Sequence, residues 1–408
     1  MAMRQEVNLA WGSTAPAATR DSGWDAAVQS AQVRSYLVTE IHLCARPGLR
    51  SGGLEAQARS MYWNLLAEMH ALGAGPLDIV TEKIFLSEVD VQAPVVQRVR
   101  REFHGSHRGP LEPMPALTLV QQPPARPGQL CEVRAFVLIP EEGRSVVSRG
   151  MDGLPPGCSG RIVEMGGLRH CFLSSVSGES AEGSSGFARQ SDAMFAAGES
   201  CLKREGLSFA DVVRTWIYVR DVGAHYGALN ASRREFFQSR GVSPPPASTG
   251  IQGAPPGRDR LCSLDLVAVA GGGSLEVRPI HARTLNEAPA YGADFSRGMR
   301  VAFEDRAVIY VSGTASINAA GRIVSPGDIV GQVDRMLLNV KALLAGHGAM
   351  FGDIVSAVTY LKKPEYLEAF RSGCRLRGLP ERIPNTICTA DICRPEWLCE
   401  MEAIAVLT

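Results

Sequence analysis

The sequence predicts an α+β fold in which one unit occurs three times, each copy with a mixed β-sheet and two helices on one face. Three stretches of the 408-residue chain carry this prediction, because they align without a gap. Each stretch opens with a glutamine, continues as an amphipathic helix, and reaches an aspartate 21 residues later. The three pairs are Gln57 and Asp78, Gln190 and Asp211, and Gln332 and Asp353. Such a fixed spacing indicates an internal repeat.

Each element of the unit follows from a local pattern. A strand of alternating apolar residues comes first, in SYLVTEIHL, RHCFLSSVSG and RAVIYVSGTAS. The helix at the glutamine follows, and a second alternating strand begins after the aspartate. A second helix then leads to a strand that opens with proline, in PALTLVQQPP, PASTGIQGAPP and PNTICTADICRP. The last strand begins at a Leu-Cys pair, with its cysteine at Cys131, Cys262 or Cys399.

The sheet face without helices is largely apolar and has to be buried. We therefore expect the three copies to pack against one another as an intramolecular pseudo-trimer. The predicted units are residues 1–142, 150–275 and 280–408, separated by connectors that are rich in glycine and proline or polar. Unit 3 has the most specific motifs, and unit 1 is degenerate.

Composition excludes several classes of function. Lys+Arg and Asp+Glu both number 42, which argues against a nucleic-acid binder. No apolar run is long enough for a membrane helix, and the N-terminal residues lack the pattern of a signal peptide, so we expect a cytoplasmic protein. The ten cysteines form no CxxC pair and are expected to be reduced and mostly buried. No Cys/His cluster has metal-binding spacing, so we expect neither a metal nor a cofactor.

The motifs VSGTASI, GDIVGQ and CRPEWLCEMEAIA of unit 3 carry a family resemblance. The chain resembles the RidA/YjgF superfamily, whose small α+β proteins assemble as trimers with a ligand site in each inter-subunit cleft. This resemblance implies three unequal clefts. The acid that the family places on its last strand falls at Glu132 and Glu400, with Ser263 in the middle copy.

Imine deaminases of this superfamily bind the substrate carboxylate with an arginine in a Pro-Ala-Arg-Ser stretch. The corresponding position holds Leu117, Ser248 and Thr386 in the three units, so none keeps the arginine. The resemblance therefore does not by itself imply deaminase activity.

A second resemblance extends over more of the chain. Chorismatases are single-chain pseudo-trimers that convert chorismate to a hydroxybenzoate or a dihydrodiol and pyruvate. Their Arg-Thr-Trp-x-Tyr-Val strand is matched by Arg214 to Val219, and their Pro-Ala-x-Thr-Gly-Ile stretch by Pro246 to Ile251. Their Tyr-Gly…Phe-x-Arg segment is matched by Tyr291, Gly292, Phe295 and Arg297.

The same resemblance implies a catalytic glutamate at Glu400 and a pocket residue at Cys393, where the family has alanine or cysteine. In that family the cysteine accompanies hydroxybenzoate formation. One segment departs from the family pattern, because SGTASINAAGRIVSPGD lacks the histidines of the family's Gly-His…His-x-Gly-Asp segment.

The residues alone also indicate acid chemistry in unit 3. Glu400 and Glu402 alternate with Met401 and share one strand face, so their pKa values should move apart and leave one carboxyl suited to proton transfer. We expect Glu400 to act as the acid. No histidine lies near Cys393 in sequence to form a thiolate, so we expect this cysteine to shape the pocket.

Arginines supply the expected binding groups for a small carboxylate. Arg297 could hold a carboxylate in a bidentate manner, or be a surface arginine. Arg214 shares a strand face with Trp216, which fits either an anion platform or an arginine lying over core aromatics. Arg394 could be an anion partner or a turn residue. The remaining expected substrate contacts are Tyr291, Phe295, Ser312 and Thr314.

The sequence therefore predicts an enzyme that acts on a small carboxylate in an inter-unit cleft by general acid catalysis. A chorismatase-like lyase of secondary metabolism is the first hypothesis. An imine deaminase of the RidA type, which is a hydrolase, and a non-catalytic pseudo-trimer that binds a small ligand are the alternatives. We expect a monomeric pseudo-trimer or a dimer of it, with no nucleic-acid or membrane partner.

Overall fold

A computed structural model describes residues 23–48, 52–109, 112–178, 186–272 and 274–408, apart from the side chain of Tyr291. These residues form three units, each with one sheet and two α-helices, which confirms the predicted fold class. Unit 1 contains β1 (Val28–Arg34), β2 (Val38–Ala45), α1 (Leu54–Ala71), β3 (Ile79–Leu86), α2 (Val89–Gly105), β4 (Ala116–Gln121) and β5 (Cys131–Pro140). Unit 2 contains β6 (Val147–Gly150), β7 (Ser159–Met165), β8 (Leu168–Val176), α3 (Phe187–Arg204), β9 (Val212–Val219), α4 (Val222–Arg240), β10 (Ala247–Gln252) and β11 (Cys262–Gly271). Unit 3 contains β12 (Glu276–Pro279), β13 (Gly298–Ala302), β14 (Ala307–Ala315), α5 (Ile329–Ala345), β15 (Ile354–Leu361), α6 (Leu367–Arg377), β16 (Asn385–Thr389) and β17 (Cys399–Leu407).

All three sheets have the same mixed topology. The strand orders are β1-β2-β5-β3-β4, β10-β9-β11-β8-β7-β6 and β12-β13-β14-β17-β15-β16. The last strand of each unit lies in the interior of its sheet and pairs antiparallel with both neighbours, whereas β3/β4, β9/β10 and β15/β16 are parallel. The residues at the start of each last strand are therefore held from two sides.

Two strands lie where the sequence predicts connectors. β6 and β12 add a sixth strand to the sheets of units 2 and 3, by antiparallel pairing with β7 and β13. Most of their residues are exposed, so they show no alternation of buried and exposed positions. The backbone pairing that defines them leaves no trace in the hydrophobic pattern.

The repeated glutamine and aspartate have structural roles. In unit 3 the side chain of Gln332 donates to the carbonyl oxygen of Glu396 at 2.9 Å and accepts from the backbone N–H of Leu398 at 2.9 Å. Gln57 and Gln190 make the same two bonds in their units. The glutamine thus ties the first helix to the loop before the last strand. Each repeated aspartate accepts from the backbone N–H three residues before it and closes a turn, as Asp353 does with Met350 at 2.8 Å.

Each unit has its own core between helices and sheet, and smaller apolar clusters join the inner faces of the three sheets. The Leu-Cys thiols are part of these cores. Cys131, Cys262 and Cys399 are buried, and burial raises the pKa of all three. They are small core residues, as are most of the ten free cysteines.

The three units contact one another in a closed cycle, through the strand that follows the second helix. The backbone N–H of Ser248 on β10 donates to the Ser312 hydroxyl of unit 3 at 2.9 Å. Thr118 on β4 donates to Asp265 of unit 2 at 2.8 Å. β16 contacts unit 1, where Arg46 donates to the carbonyl oxygen of Asn385 at 2.8 Å. This head-to-tail arrangement confirms the predicted pseudo-trimer.

No helix within the described residues combines the length and the apolar character that a membrane span requires.

Candidate active site

The cleft between units 2 and 3 contains the acid predicted at Glu400. This residue is the second of β17, lies opposite Ala315 on β14, and is 4% exposed. Its carboxyl group packs against Gly313, where an added Cβ would overlap Oε1. Neither carboxyl oxygen hydrogen-bonds to a residue in the described part of the chain. The side chain is therefore buried where units 2 and 3 meet, with no hydrogen-bond partner among the described residues.

The environment of Glu400 favours its neutral form. Burial, followed by the neighbouring Glu402 carboxylate, raises the pKa of Glu400 to about 8, against the opposing effect of Arg297 and Arg214. The carboxyl is thus protonated at neutral pH. A neutral, buried carboxyl with a pKa near the working pH is suited to general acid catalysis.

Glu402 has a different environment on the same strand face. Arg214 donates to its Oε2 at 2.7 Å, and the Trp216 indole N–H donates to its Oε1 at 2.7 Å. Arg214 also donates to the Thr249 hydroxyl at 2.6 Å, while its Nη1 is buried with no hydrogen-bond partner among the described residues. The predicted binding residues Arg214 and Trp216 therefore surround Glu402, and Trp216 lies on the wall of a central cavity.

Arg297 and Phe295 lie beside Glu400. Arg297 is 2% exposed, and its guanidinium donates to the carbonyl oxygen of Asn286 at 2.7 Å. It is a buried arginine and not a surface one. The Phe295 ring lies 5.6 Å from this guanidinium. Tyr291 ends a short 3-10 helix, and its side chain lies outside the described part of the structure.

Helix α4 of unit 2 contributes residues that sequence reasoning missed. Arg233 is 1% exposed and lies 5.3 Å from the Phe295 ring. Its Nη2 donates to Asn230 at 2.6 Å and its Nη1 to the Ser248 hydroxyl at 3.3 Å, while its Nε is buried without a partner. Within the described ranges no carboxylate lies within ion-pair distance of it. The available signal was a polar stripe along α4 at i, i+4 and i+7, formed by Tyr226, Asn230 and Arg233.

Cys393 lies near Glu400, Tyr226 and Arg233. Burial, and then the nearby Glu400, raise the pKa of the Cys393 thiol to about 12, although a hydrogen bond with Tyr226 opposes the shift. The sulfur is a thiol at neutral pH. This chemistry favours the interpretation of Cys393 as a wall of the pocket over that of a nucleophile.

Ser312 and Thr314 lie beside Glu400, where units 2 and 3 are in contact. The Ser312 hydroxyl donates to the carbonyl oxygen of Ser296 at 2.6 Å and accepts from the backbone of Ser248, so both its roles are filled. The Thr314 hydroxyl donates to the Ser312 carbonyl at 2.8 Å. Arg394 donates to the carbonyl oxygen of Gly321 at 3.3 Å and lies 5.0 Å from the Trp397 ring.

The cleft between units 1 and 3 holds the second predicted acid in a different state. Arg46 donates to Glu132 Oε2 at 3.0 Å, and the Cys44 thiol donates to Oε1 at 2.8 Å. Burial raises the pKa of Glu132, but Arg46 and the hydrogen bonds of the site outweigh it, so that the pKa is lowered overall. Glu132 is therefore ionised. The third cleft has Ser263 at this position in place of an acid.

The described residues contain no group of three His, Cys, Asp or Glu side chains arranged to hold a metal ion.

Comparisons with known proteins agree with this architecture. Residues 285–407 match the family model described as Endoribonuclease L-PSP. A solved structure of a chorismatase aligns with 92% of this chain and 99% of its own, at 18% identity and a TM-score of 0.61. The search of curated proteins found no match.

Single-unit structures align with about one third of the chain. They include yeast Mmf1, at 22% identity over 33% of this chain and 100% of its own, with a TM-score of 0.28. The YjgF gene product of E. coli aligns at 21% identity over 32% of this chain and 98% of its own, with a TM-score of 0.26. The family match of unit 3 and the whole-chain match confirm the predicted resemblance to RidA/YjgF proteins and, in fold, to a chorismatase.

Proposed function

We propose that the cleft between units 2 and 3 converts chorismate to a hydroxybenzoate and pyruvate by general acid catalysis. One observation carries this proposal: Glu400 is a buried carboxyl with no hydrogen-bond partner among the described residues and a pKa of about 8, in a cleft lined by buried arginines. A protonated carboxyl that faces an anionic substrate can donate a proton where an ionised one could not.

In this reaction Glu400 gives its proton to the terminal alkene carbon of the enolpyruvyl ether. The bond between the ring carbon and the ether oxygen is then cleaved, and the side chain leaves as pyruvate with that oxygen as its keto oxygen. The ring loses a proton and becomes aromatic, and this proton restores the acid. The atoms of chorismate divide between the two products without net consumption of water in the hydroxybenzoate branch.

The arginines of the cleft suit a substrate with two carboxylates. Arg297 lies near Glu400, whereas Arg233 lies near Cys393, and their guanidinium groups are 5.6 Å and 5.3 Å, respectively, from the Phe295 ring. Each guanidinium can hold one carboxylate, and the Phe295 ring can pack against the substrate between them. A buried cation without a carboxylate partner, such as Arg233, is stabilised when an anionic ligand binds.

The test is incubation of the purified protein with chorismate, with pyruvate measured enzymatically and the aromatic product by mass. We expect both products from the wild type. Glu400→Gln should lower kcat/KM by about 10²–10⁴-fold, while the matched variant Glu132→Gln keeps most of the activity. Equal loss in both variants, or full activity in Glu400→Gln, would contradict the assignment of the acid.

Arg233 also favours a second candidate, the imine deaminase of the RidA type. Its Nη1 lies 3.3 Å from the hydroxyl of Ser248, the position at which the deaminases carry their carboxylate-binding arginine. An arginine from α4 would then replace the missing one. Release of ammonia from an imino acid, without pyruvate release from chorismate, would support this candidate over the first.

A further inference from the structure

The inner faces of the three sheets surround a central cavity. Neither Gly313 nor Glu400 lines it, so it is separate from the Glu400 cleft. Its volume is about 130 Å³, and side chains from all three units line it. A cavity of about 150 Å³ accommodates a molecule the size of benzene, so this one has room for a small ligand. Polar and charged groups on its wall make it unlike an empty apolar void.

The repeat breaks its symmetry at one inner position. Arg134 in unit 1, Asp265 in unit 2 and Glu402 in unit 3 each stand three residues after the cysteine of the Leu-Cys pair. In unit 1 the residue directly opposite Arg134 on the neighbouring strand is Lys83. Two like charges directly opposite each other on one sheet face destabilise the pair.

The carboxylates around the cavity are already paired with other cations. Asp265 pairs with Lys83 at 3.3 Å and also accepts from Thr118 and from the backbone of Ser175. In addition, Glu82 pairs with Arg100, Glu40 with Arg306, and Glu402 with Arg214.

Arg134 takes part in none of these ion pairs. Its side-chain partner is the hydroxyl of Ser356 across the cavity, and no carboxylate of the described residues lies within ion-pair distance. The Lys83 ammonium lies 4.4 Å from the Trp216 ring. Burial lowers the pKa of Lys83, and the neighbouring Arg134 lowers it further, although Asp265 and Glu402 oppose the shift.

A third group points to the same ligand. His42 lines the cavity, and its Nε2 is buried without a hydrogen-bond partner among the described residues. The nearest carboxylate oxygen, from Glu40, lies 3.7 Å away. Nε2 can therefore donate a hydrogen bond to a ligand in the cavity.

We propose that the central cavity binds a small oxyanion, either an inorganic anion or a short carboxylate, between Arg134 and Lys83. The guanidinium of Arg134 would hold two of its oxygens, and the ammonium of Lys83 would face a third. Such an anion compensates the charge that the like-charged pair leaves unpaired. This site is independent of the reaction proposed for the Glu400 cleft.

The test is isothermal titration calorimetry of the full chain with sodium sulfate and, in a separate arm, with sodium malonate. We expect one site per chain for one or both anions. Arg134→Met should weaken binding at least about tenfold, because it removes the charge-assisted hydrogen bonds. Arg297→Met, which removes a buried arginine from the Glu400 cleft, should leave the affinity unchanged. The stronger of the two arms distinguishes an inorganic from a carboxylate ligand.

Crystals of the wild type soaked in sodium selenate give a second readout that does not depend on a variant that folds. An anomalous peak within hydrogen-bond distance of Arg134 is the expected result. Absence of that peak, together with no heat from either anion, would overturn the proposal. Binding that Arg297→Met abolishes and Arg134→Met retains would overturn it as well.

Discussion

Glu400 and Glu132 occupy the same position in units 3 and 1, one residue after the Leu-Cys pair, yet their carboxyl groups are in opposite protonation states. The pKa of Glu400 is raised to about 8 and that of Glu132 is lowered. Both are buried to the same degree, at 4% and 1% exposure, so burial alone does not separate them. The difference comes from the charged and hydrogen-bonding groups around each carboxyl.

Two substitutions on or next to the neighbouring strand contribute to this difference, in addition to the Glu402 carboxylate that raises the pKa of Glu400. In unit 1 Arg46 pairs with Glu132, whereas in unit 3 Ala315 stands opposite Glu400. Cys44 donates a hydrogen bond to Glu132, whereas Gly313 provides no side chain at the corresponding place beside Glu400. A buried acid that has lost its cation and its donor becomes neutral, and it can then act as a proton donor.

Removal of Arg46 from the cleft between units 1 and 3 should give the largest effect, which is a loss of stability. Arg46→Met leaves Glu132 buried and unpaired, and breaking such a pair costs about 3–5 kcal/mol. We expect this loss in the free energy of unfolding, measured by urea denaturation at pH 7. The double variant Arg46→Met/Glu132→Met should recover much of it. A loss below about 1 kcal/mol in the single variant would show that Arg46 does not stabilise the buried Glu132.

The second-largest effect should come from a side chain introduced at Gly313, in the cleft between units 2 and 3, and should be a loss of activity. Gly313→Cys places a Cβ where the Glu400 carboxyl now lies, so the acid has to move. A misplacement of about 1 Å costs on the order of 10²-fold in rate, which is the expected fall in kcat/KM for chorismate. The reciprocal control Cys44→Gly should leave turnover intact. Unchanged activity in Gly313→Cys would separate Glu400 from the chemistry.

The two acids should also give opposite pH dependences. The folded pKa of Glu400 lies above its unfolded value, so its contribution to stability is complete below about pH 4.5 and is lost as pH rises to about 8. The expected slope is at most about 1.4 kcal/mol per pH unit, and Glu400→Gln should remove it. Glu132 contributes above its unfolded pKa, and this contribution is lost as pH falls through its lowered folded pKa.

Urea unfolding of the wild type and of both glutamine variants between pH 4 and 9 measures these slopes. Turnover of chorismate should fall above about pH 8 as Glu400 loses its proton. Stability and turnover that stay flat between pH 6 and 9 would contradict the protonated state of Glu400.

The smallest effect is expected at the pocket wall. Cys393 in unit 3 corresponds to Ala125 in unit 1, since each stands six residues before the cysteine of the Leu-Cys pair. Because the thiol is protonated, Cys393→Ala should change kcat by less than about tenfold and shift product from hydroxybenzoate towards dihydrodiol. The mixture is measured by liquid chromatography and mass spectrometry. Ala125→Cys is the matched control and should change neither rate nor product, and a change of product there would place turnover in the wrong cleft.

The periodic parts of the molecule could be predicted from the sequence. The gapless Gln and Asp spacing gave the repeat, because those residues make the same backbone bonds in every unit. Glu400 and Cys393 could be placed together because one strand and its preceding loop carry both. β6 and β12 could not be predicted, since exposed edge strands lack an alternating pattern.

Contacts between residues that are far apart in the chain were beyond the sequence patterns. Arg46 and Glu132 are 86 residues apart, and their pairing depends on which strands become neighbours. The approach of Arg233 to the wall of unit 3 depends on how β10 docks on β14. Local propensity carries no information on either geometry. The candidate acid and Arg297 were therefore predictable, whereas Arg233 was not.

The three units are one continuous chain, and this has a consequence for how the clefts can change. In an assembly of three identical subunits, any substitution appears in every cleft at once, so a residue that helps catalysis in one place has to be tolerated in all. Here glycine can stand beside one acid and cysteine beside the other, and each is encoded separately. One cleft can therefore keep its acid in an ion pair, while another keeps a neutral acid that has no paired cation.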